Sequence, residues 1–171
     1  MDMLGHFRMF AAYNGWANRL LYQAAGRLSD EQFRADRGAF FKSVHGTLSH
    51  LLVTDRIWLG RFGGQGVANS GLDTMPYDRF PDLRQAREAE DERMTAYIAE
   101  LSAADLDRTI SYTRVSSPEA IVQPLGPALA HMFNHQTHHR GQAHCLLTGL
   151  VGEAPPLDLL FFQRETGVGA H

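Results

Sequence analysis

A single cysteine, Cys145, occurs in the 171 residues. One thiol cannot make an intrachain disulfide, so the fold has no covalent staple and a reducing compartment suits it. Long apolar runs are absent too: no stretch approaches the roughly 20 consecutive apolar residues that a membrane helix needs. The first residues lack a basic segment followed by an apolar core, so no signal peptide is expected and a cytoplasmic location is. Nor is there a surplus of positive charge. Lys and Arg number 16 against 19 Asp and Glu, a formal net charge of −3, which leaves no basic footprint for nucleic acid. With 44% hydrophobic and 20% charged residues, the chain has the composition of a globular protein, and its length suits one domain over 1–171. What the sequence does have is histidine, unevenly placed. Five of the nine, His131, His135, His138, His139 and His144, fall within one short segment.

Helical periodicity dominates the rest. Residues 3–25 carry Leu4, Phe7, Leu21 and Tyr22 on one stripe, with Asn14 and Ala17 between them, and Gly26 follows as a stop signal. Ser29-Asp30-Glu31-Gln32 has the capping-box pattern of a short helix. A second long helix is expected over 42–62, ending at Gly63-Gly64, and residues 63–78 read as a loop rich in Gly, Asn and Ser. A third spans about 81–102, with Leu83, Met94, Ile98 and Leu101 on its apolar side. Residues 108–123 differ: Thr109 to Thr113 alternates and is β-branched or aromatic, which suggests a short extended excursion or hairpin closed near Pro118. Gly126-Pro127 opens a fourth long helix running to about Thr148, before Gly149. An apolar tail, Leu157 to Phe162, follows Pro155-Pro156. Four long amphipathic helices without a βαβ pattern predict an all-α, four-helix bundle. The long connection between the third and fourth helices leaves the up-down order open.

On the fourth helix, His131 and His139 lie about 40° to either side of His135, with His138 and Gln142 also nearby and His144 opposite. A bundle helix ordinarily turns Leu, Val or Phe inward, so a face of imidazoles and an amide needs hydrogen-bond partners or a metal. Histidines at i and i+4 can reach one transition-metal ion. Both His131/His135 and His135/His139 have that spacing, and all three cannot easily share one ion. A further ligand must come from another helix. On the second, His45 and His50 point apart, and the apolar neighbours Leu51, Leu52 and Val53 favour His50 as the inward one. His6, His144 and His171 are expected at the surface, and Cys145 as a small packing residue at the edge of the histidine face.

The stretch Asn134-His135-Gln136-Thr137-His138-His139-Arg140-Gly141-Gln142 resembles the signature of the DinB/YfiT-like family of metal-binding four-helix proteins. That family is distinct from the DNA polymerase sharing its name. Tyr13 to Asn18 resembles its first-helix motif, His45 to Leu52 its second-helix motif, and Leu157 to Phe162 its C-terminal segment. The resemblance implies one divalent transition-metal ion on His50, His135 and His139, with water completing the shell. It suggests that Asn14 and Trp16 line the pocket beside His131, His138 and Gln142. Relatives include transferases and isomerases that use low-molecular-weight thiols such as bacillithiol or mycothiol. Imidazole donors suit nickel and zinc alike.

Three imidazoles leave a coordination position open, as catalytic sites do, whereas structural zinc is closed by four protein ligands. In HExxH hydrolases a Glu follows the first His; here Gln136 occupies that place and cannot take a proton. A thiol held as thiolate needs less help from a base. Three readings follow. The first is a metal-dependent transferase joining a low-molecular-weight thiol to a small electrophile. The second is a metal-assisted hydrolase or isomerase with an unplaced acidic base. The third is a non-catalytic metal-binding module of a stress response. A carboxylate beside the open position would favour the second, a cleft the first, and a sealed site the third. A homodimer is expected if the apolar tail covers a neighbour, although the same tail can close its own bundle.

Overall fold

The computed structural model describes residues 1–64, 71–114, 117 and 119–168. The expected features at 65–70, Pro118 and His171 lie outside the described residues. Four long helices form the body: α1 (Met3–Ala25), α3 (Val44–Phe62), α4 (Phe80–Glu100) and α5 (Leu125–Val151). A short α2 (Asp30–Arg34) opens on the expected capping box, with Gln32 N donating to Ser29 Oγ at 3.1 Å and Ser29 N to Gln32 Oε1 at 3.0 Å. Strands β1 (Thr109–Thr113) and β2 (Ala120–Pro124) pair antiparallel, Thr109 opposite Pro124, and form the extended excursion before α5. The tail forms α6 (Leu159–Thr166). No helix among the described residues is long and apolar enough to cross a membrane.

One helix end departs from expectation. Gly149 does not stop α5, because glycine weakens a helix interior without forbidding it. The helix runs on to Val151 and ends at Gly152, whose φ of +82° is the left-handed cap that a side chain would resist.

The core is layered along the bundle axis. At one end Phe7, Phe62, Met94, Ile98, Leu125 and Leu129 pack together; at the other, Leu21, Leu48, Leu52, Leu83 and Leu147 do. This membership gives each helix its direction. The chain rises along α1 and descends along α3. It then descends again along α4 and rises along α5. The crossover is therefore the α3–α4 connection, which joins opposite ends of the bundle, and not the α4–α5 connection where the sequence had left the order open; α4 and α5 meet at the same end. The hairpin region turns the chain at one end. The tail closes its own bundle: Phe162 is buried against Tyr13 and Trp16 of α1.

Candidate metal centre

Between the two apolar layers α3 and α5 bring His50, His135 and His139 together. One ring nitrogen from each lies within 4.8 Å of the others, and His50 Nε2 is 3.3 Å from His135 Nε2. Two ligands at about 2.0–2.1 Å from a tetrahedral ion stand about 3.3–3.4 Å apart, so this separation is that of a ligand pair. The remaining ring nitrogens are held from outside. His50 Nδ1 lies 2.7 Å from the Leu72 carbonyl, which can only accept, so the imidazole carries its proton there and leaves Nε2 unprotonated. His139 Nδ1 donates to Gln142 Oε1 at 2.7 Å in the same manner. Outer contacts of this kind fix tautomer and ring orientation in histidine metal sites.

Burial keeps the imidazoles neutral. It pushes His50 down to about 4, with His139 acting the same way and the Leu72 carbonyl opposing. His135 falls to about 3, through burial first and then the neighbouring His139, His50 and His131 rings. His139 is lowered by burial as well, against the pull of Gln142. Neutral imidazole is the form that ligates, so the donor set fits a divalent ion.

Phe41 forms one wall. Its ring stacks on His50 at 3.8 Å between centroids and meets His139 edge-on at 5.4 Å. Gly46, one turn before His50, permits this: a Cβ there would fall 2.1 Å from the Phe41 carbonyl oxygen. Neither Phe41 nor Leu72 was singled out from the sequence. Phe41 precedes α3 without periodicity, and the Leu72 contact is made by a backbone atom that any residue would supply.

On the other side the site opens into a cavity of about 360 Å³, within the ordinary range of small-molecule sites. His50, His131, His135, Trp58, Arg61, Leu72 and Tyr112 are among its lining residues, and no carboxylate is among those described. His131 packs on Trp58 at 5.0 Å and lies 6.0 Å from the His135 ring, on the cavity wall and outside the three-ring cluster. His138 is exposed and accepts from Gln142 Nε2 at 3.3 Å. His45 is buried away from the cluster, donating from Nε2 to the Tyr77 carbonyl at 2.8 Å. His6 rests against Phe10, His144 is half-buried, and Cys145 is exposed beside Gln142.

Asn14 and Trp16 stand elsewhere than the pocket expected for them. Asn14 is fully buried in the bundle interior, where Nδ2 donates to Asp91 Oδ1 at 3.1 Å and Oδ1 accepts from Arg140. Trp16 faces the tail, its Nε1 donating to Glu165 Oε2 at 2.9 Å. Polar residues recurring on a helix carry no label for which neighbour they meet. Gln136 and Arg140 also point inward, Gln136 donating to Asp55 and to the Leu51 carbonyl. Arg87 completes that interior with ion pairs to Asp55 at 2.7 Å and Asp91 at 3.0 Å.

Known proteins are similar to this chain in sequence along nearly its whole length. Residues 3–168 match the model of the DinB family. The chain is 24% identical over 162 residues to "Protein DinB" of Bacillus subtilis (strain 168), an alignment covering 90% of this chain and 92% of that protein. Because the match spans all four long helices and includes the three clustered histidines, the chain belongs to the DinB family.

Proposed function

We propose that the protein is a divalent-metal-dependent transferase that joins a low-molecular-weight thiol to a small electrophile. His50, His135 and His139 would hold the ion, nickel or zinc. When bound, such an ion supplies Lewis acidity that stabilises a thiol in its deprotonated form. The observation carrying this reading is the pair of outward locks, Leu72 on His50 and Gln142 on His139, which aim unprotonated nitrogens into one space.

The protein's own residues define the rest. Phe41 covers one side of His50 and excludes water there, while the cavity leaves the other side accessible to a small molecule. Gln136, at the position where a hydrolase would place its base, is turned into the core and bound to Asp55. With no carboxylate among the described cavity residues, the acidic base of the hydrolase reading has no candidate there, and transfer from a thiol is favoured.

The metal assignment is tested by His139→Ala. Elemental analysis of the purified variant is expected to show loss of stoichiometric metal while circular dichroism stays helical; full metal retention would refute the ligand set. The activity is tested by presenting the loaded protein with bacillithiol, mycothiol, glutathione or coenzyme A and electrophilic acceptors. Metal-dependent conjugation with one of them is expected, and its absence with all four removes the thiol reading.

A further inference from the structure

We propose that the cavity beside the histidine cluster is a subsite for the carboxylate of a small monoanionic ligand, held by Arg61. The proposal rests on reading that cluster as the reaction centre, because the same cavity is lined by His50 and His135.

Arg61 lies on α3 near its C-terminus and is 8% exposed. Its guanidinium carbon sits over the Tyr112 ring at 4.1 Å and the Trp58 ring at 4.6 Å. Aromatic faces therefore surround it where a buried cation ordinarily meets an anion. Among the described residues its one hydrogen bond runs from Nη2 to the Thr113 carbonyl at 3.3 Å, and its buried Nε–H finds no partner among them. None of the residues outside the described set has an acidic side chain. Arg114, the other cation lining the cavity, is already paired with Glu119 at 3.1 Å. The remaining buried guanidiniums, Arg87 and Arg140, also have an Nε–H without a partner among the described residues, but they sit in the core network with Asp55, Asp91 and Asn14 and do not line the cavity.

A desolvated guanidinium with an unused donor is costly unless something completes it. The cavity is where that something can enter. One uncompensated positive charge matches one negative charge, and a planar fork of N–H groups matches a planar carboxylate. A second donor is at hand: Tyr112 Oη accepts from Gln123 Nε2 at 2.9 Å, which leaves its hydrogen free to donate. A ligand carrying a carboxylate at one end would thus be oriented with its other end toward His50 and His135.

The test compares 3-mercaptopropionate, its neutral amide 3-mercaptopropanamide, and propionate by isothermal titration calorimetry on the zinc-loaded, full-length protein. The acid is expected to bind about tenfold tighter than the amide. That preference should vanish in Arg61→Gln and be partly kept in Arg61→Lys, with metal content unchanged in both. Equal affinities of acid and amide overturn the proposal, as does a preference that survives Arg61→Gln or a failure of every carboxylate to bind. Should Arg61→Gln prove unfolded by circular dichroism, the acid–amide comparison on the unaltered protein decides alone. Propionate titrated into metal-stripped protein separates the two readings. Arg61-dependent propionate binding by a protein that takes up no stoichiometric metal when zinc is offered back would keep the carboxylate subsite and discard the metal centre. Stoichiometric metal with no acid preference would do the reverse.

Discussion

Helices α3 and α5 each carry two polar faces, and the two faces have been put to opposite uses. Outward lies the histidine cluster: neutral rings, their outer nitrogens tied to Leu72 and Gln142, opening on a cavity. Inward, five residues after His50 and one residue after His135 and His139, lie Asp55, Gln136 and Arg140. There they meet Asn14 and Asn18 of α1 and Arg87 and Asp91 of α4 in a polar layer between the two apolar cores. Desolvation acts on both groups with different results. At the cluster it removes protons and leaves neutral imidazoles. In the interior it pushes the Asp55 carboxyl up to about 7, against the pull of Arg87, while the surrounding carboxylates hold Arg87 charged above its ordinary range. One face keeps its imidazole nitrogens unshared, and the other joins four helices through ion pairs and hydrogen bonds.

Removing a member of each face should therefore have unlike consequences. Arg87→Ala strands Asp55 and Asp91 in the interior and is expected to cost about 3–5 kcal/mol in urea denaturation, whether or not metal is present. A loss under about 1 kcal/mol would show that the interior layer is not holding the bundle together. Acid should act on the outward face. His50 and His135 titrate near 4 and 3 in the fold against about 6.5 in an unfolded chain, so the unfolded chain takes up protons first. The share of the metal-free protein's stability that rests on His50 and His135 should be intact above about pH 6.5 and be lost on acidification toward about pH 3. Asp55, which takes up its proton in the fold near 7, opposes that fall in both proteins, so the fall should be shallower in His135→Leu. Denaturation midpoints at pH 7, 5 and 4 measure this, and identical slopes in the two proteins would contradict it. Gln142→Ala frees the His139 ring and should weaken metal affinity about 10- to 100-fold in a competition titration, with the bundle unaffected. Cys145→Ser lies outside both faces and should move stability by no more than about 0.5 kcal/mol and leave metal binding unchanged.

The helices were legible because their apolar stripes repeat over many turns, and α1, α3, α4 and α5 fall within a turn of their expected limits. The excursion before α5 showed through the alternation of Thr109 to Thr113, and it pairs as β1 with β2. The histidine face was legible by phase, since four imidazoles in place of Leu or Val cannot be mistaken for core. Its supports were not. Leu72 acts through its carbonyl, and that carbonyl is near His50 only because the α3–α4 connection returns along the bundle. Asn14 and Gln136 are polar residues on helices like those of the cluster, and only the identity of the facing helix shows that they serve the interior. Arg61 carried no signal in the sequence, because its setting between Trp58 and Tyr112 is made by tertiary packing.

Gly46 has a consequence for how tightly anything can be held next to His50. With no side chain at that position, two stretches of backbone touch, and the Phe41 ring is set against the imidazole by the distance between main chains. His50 is then clamped between an aromatic plane and a carbonyl before any ligand arrives. A guest at this site finds the ring already immobilised, so little rotational freedom remains to be surrendered on binding.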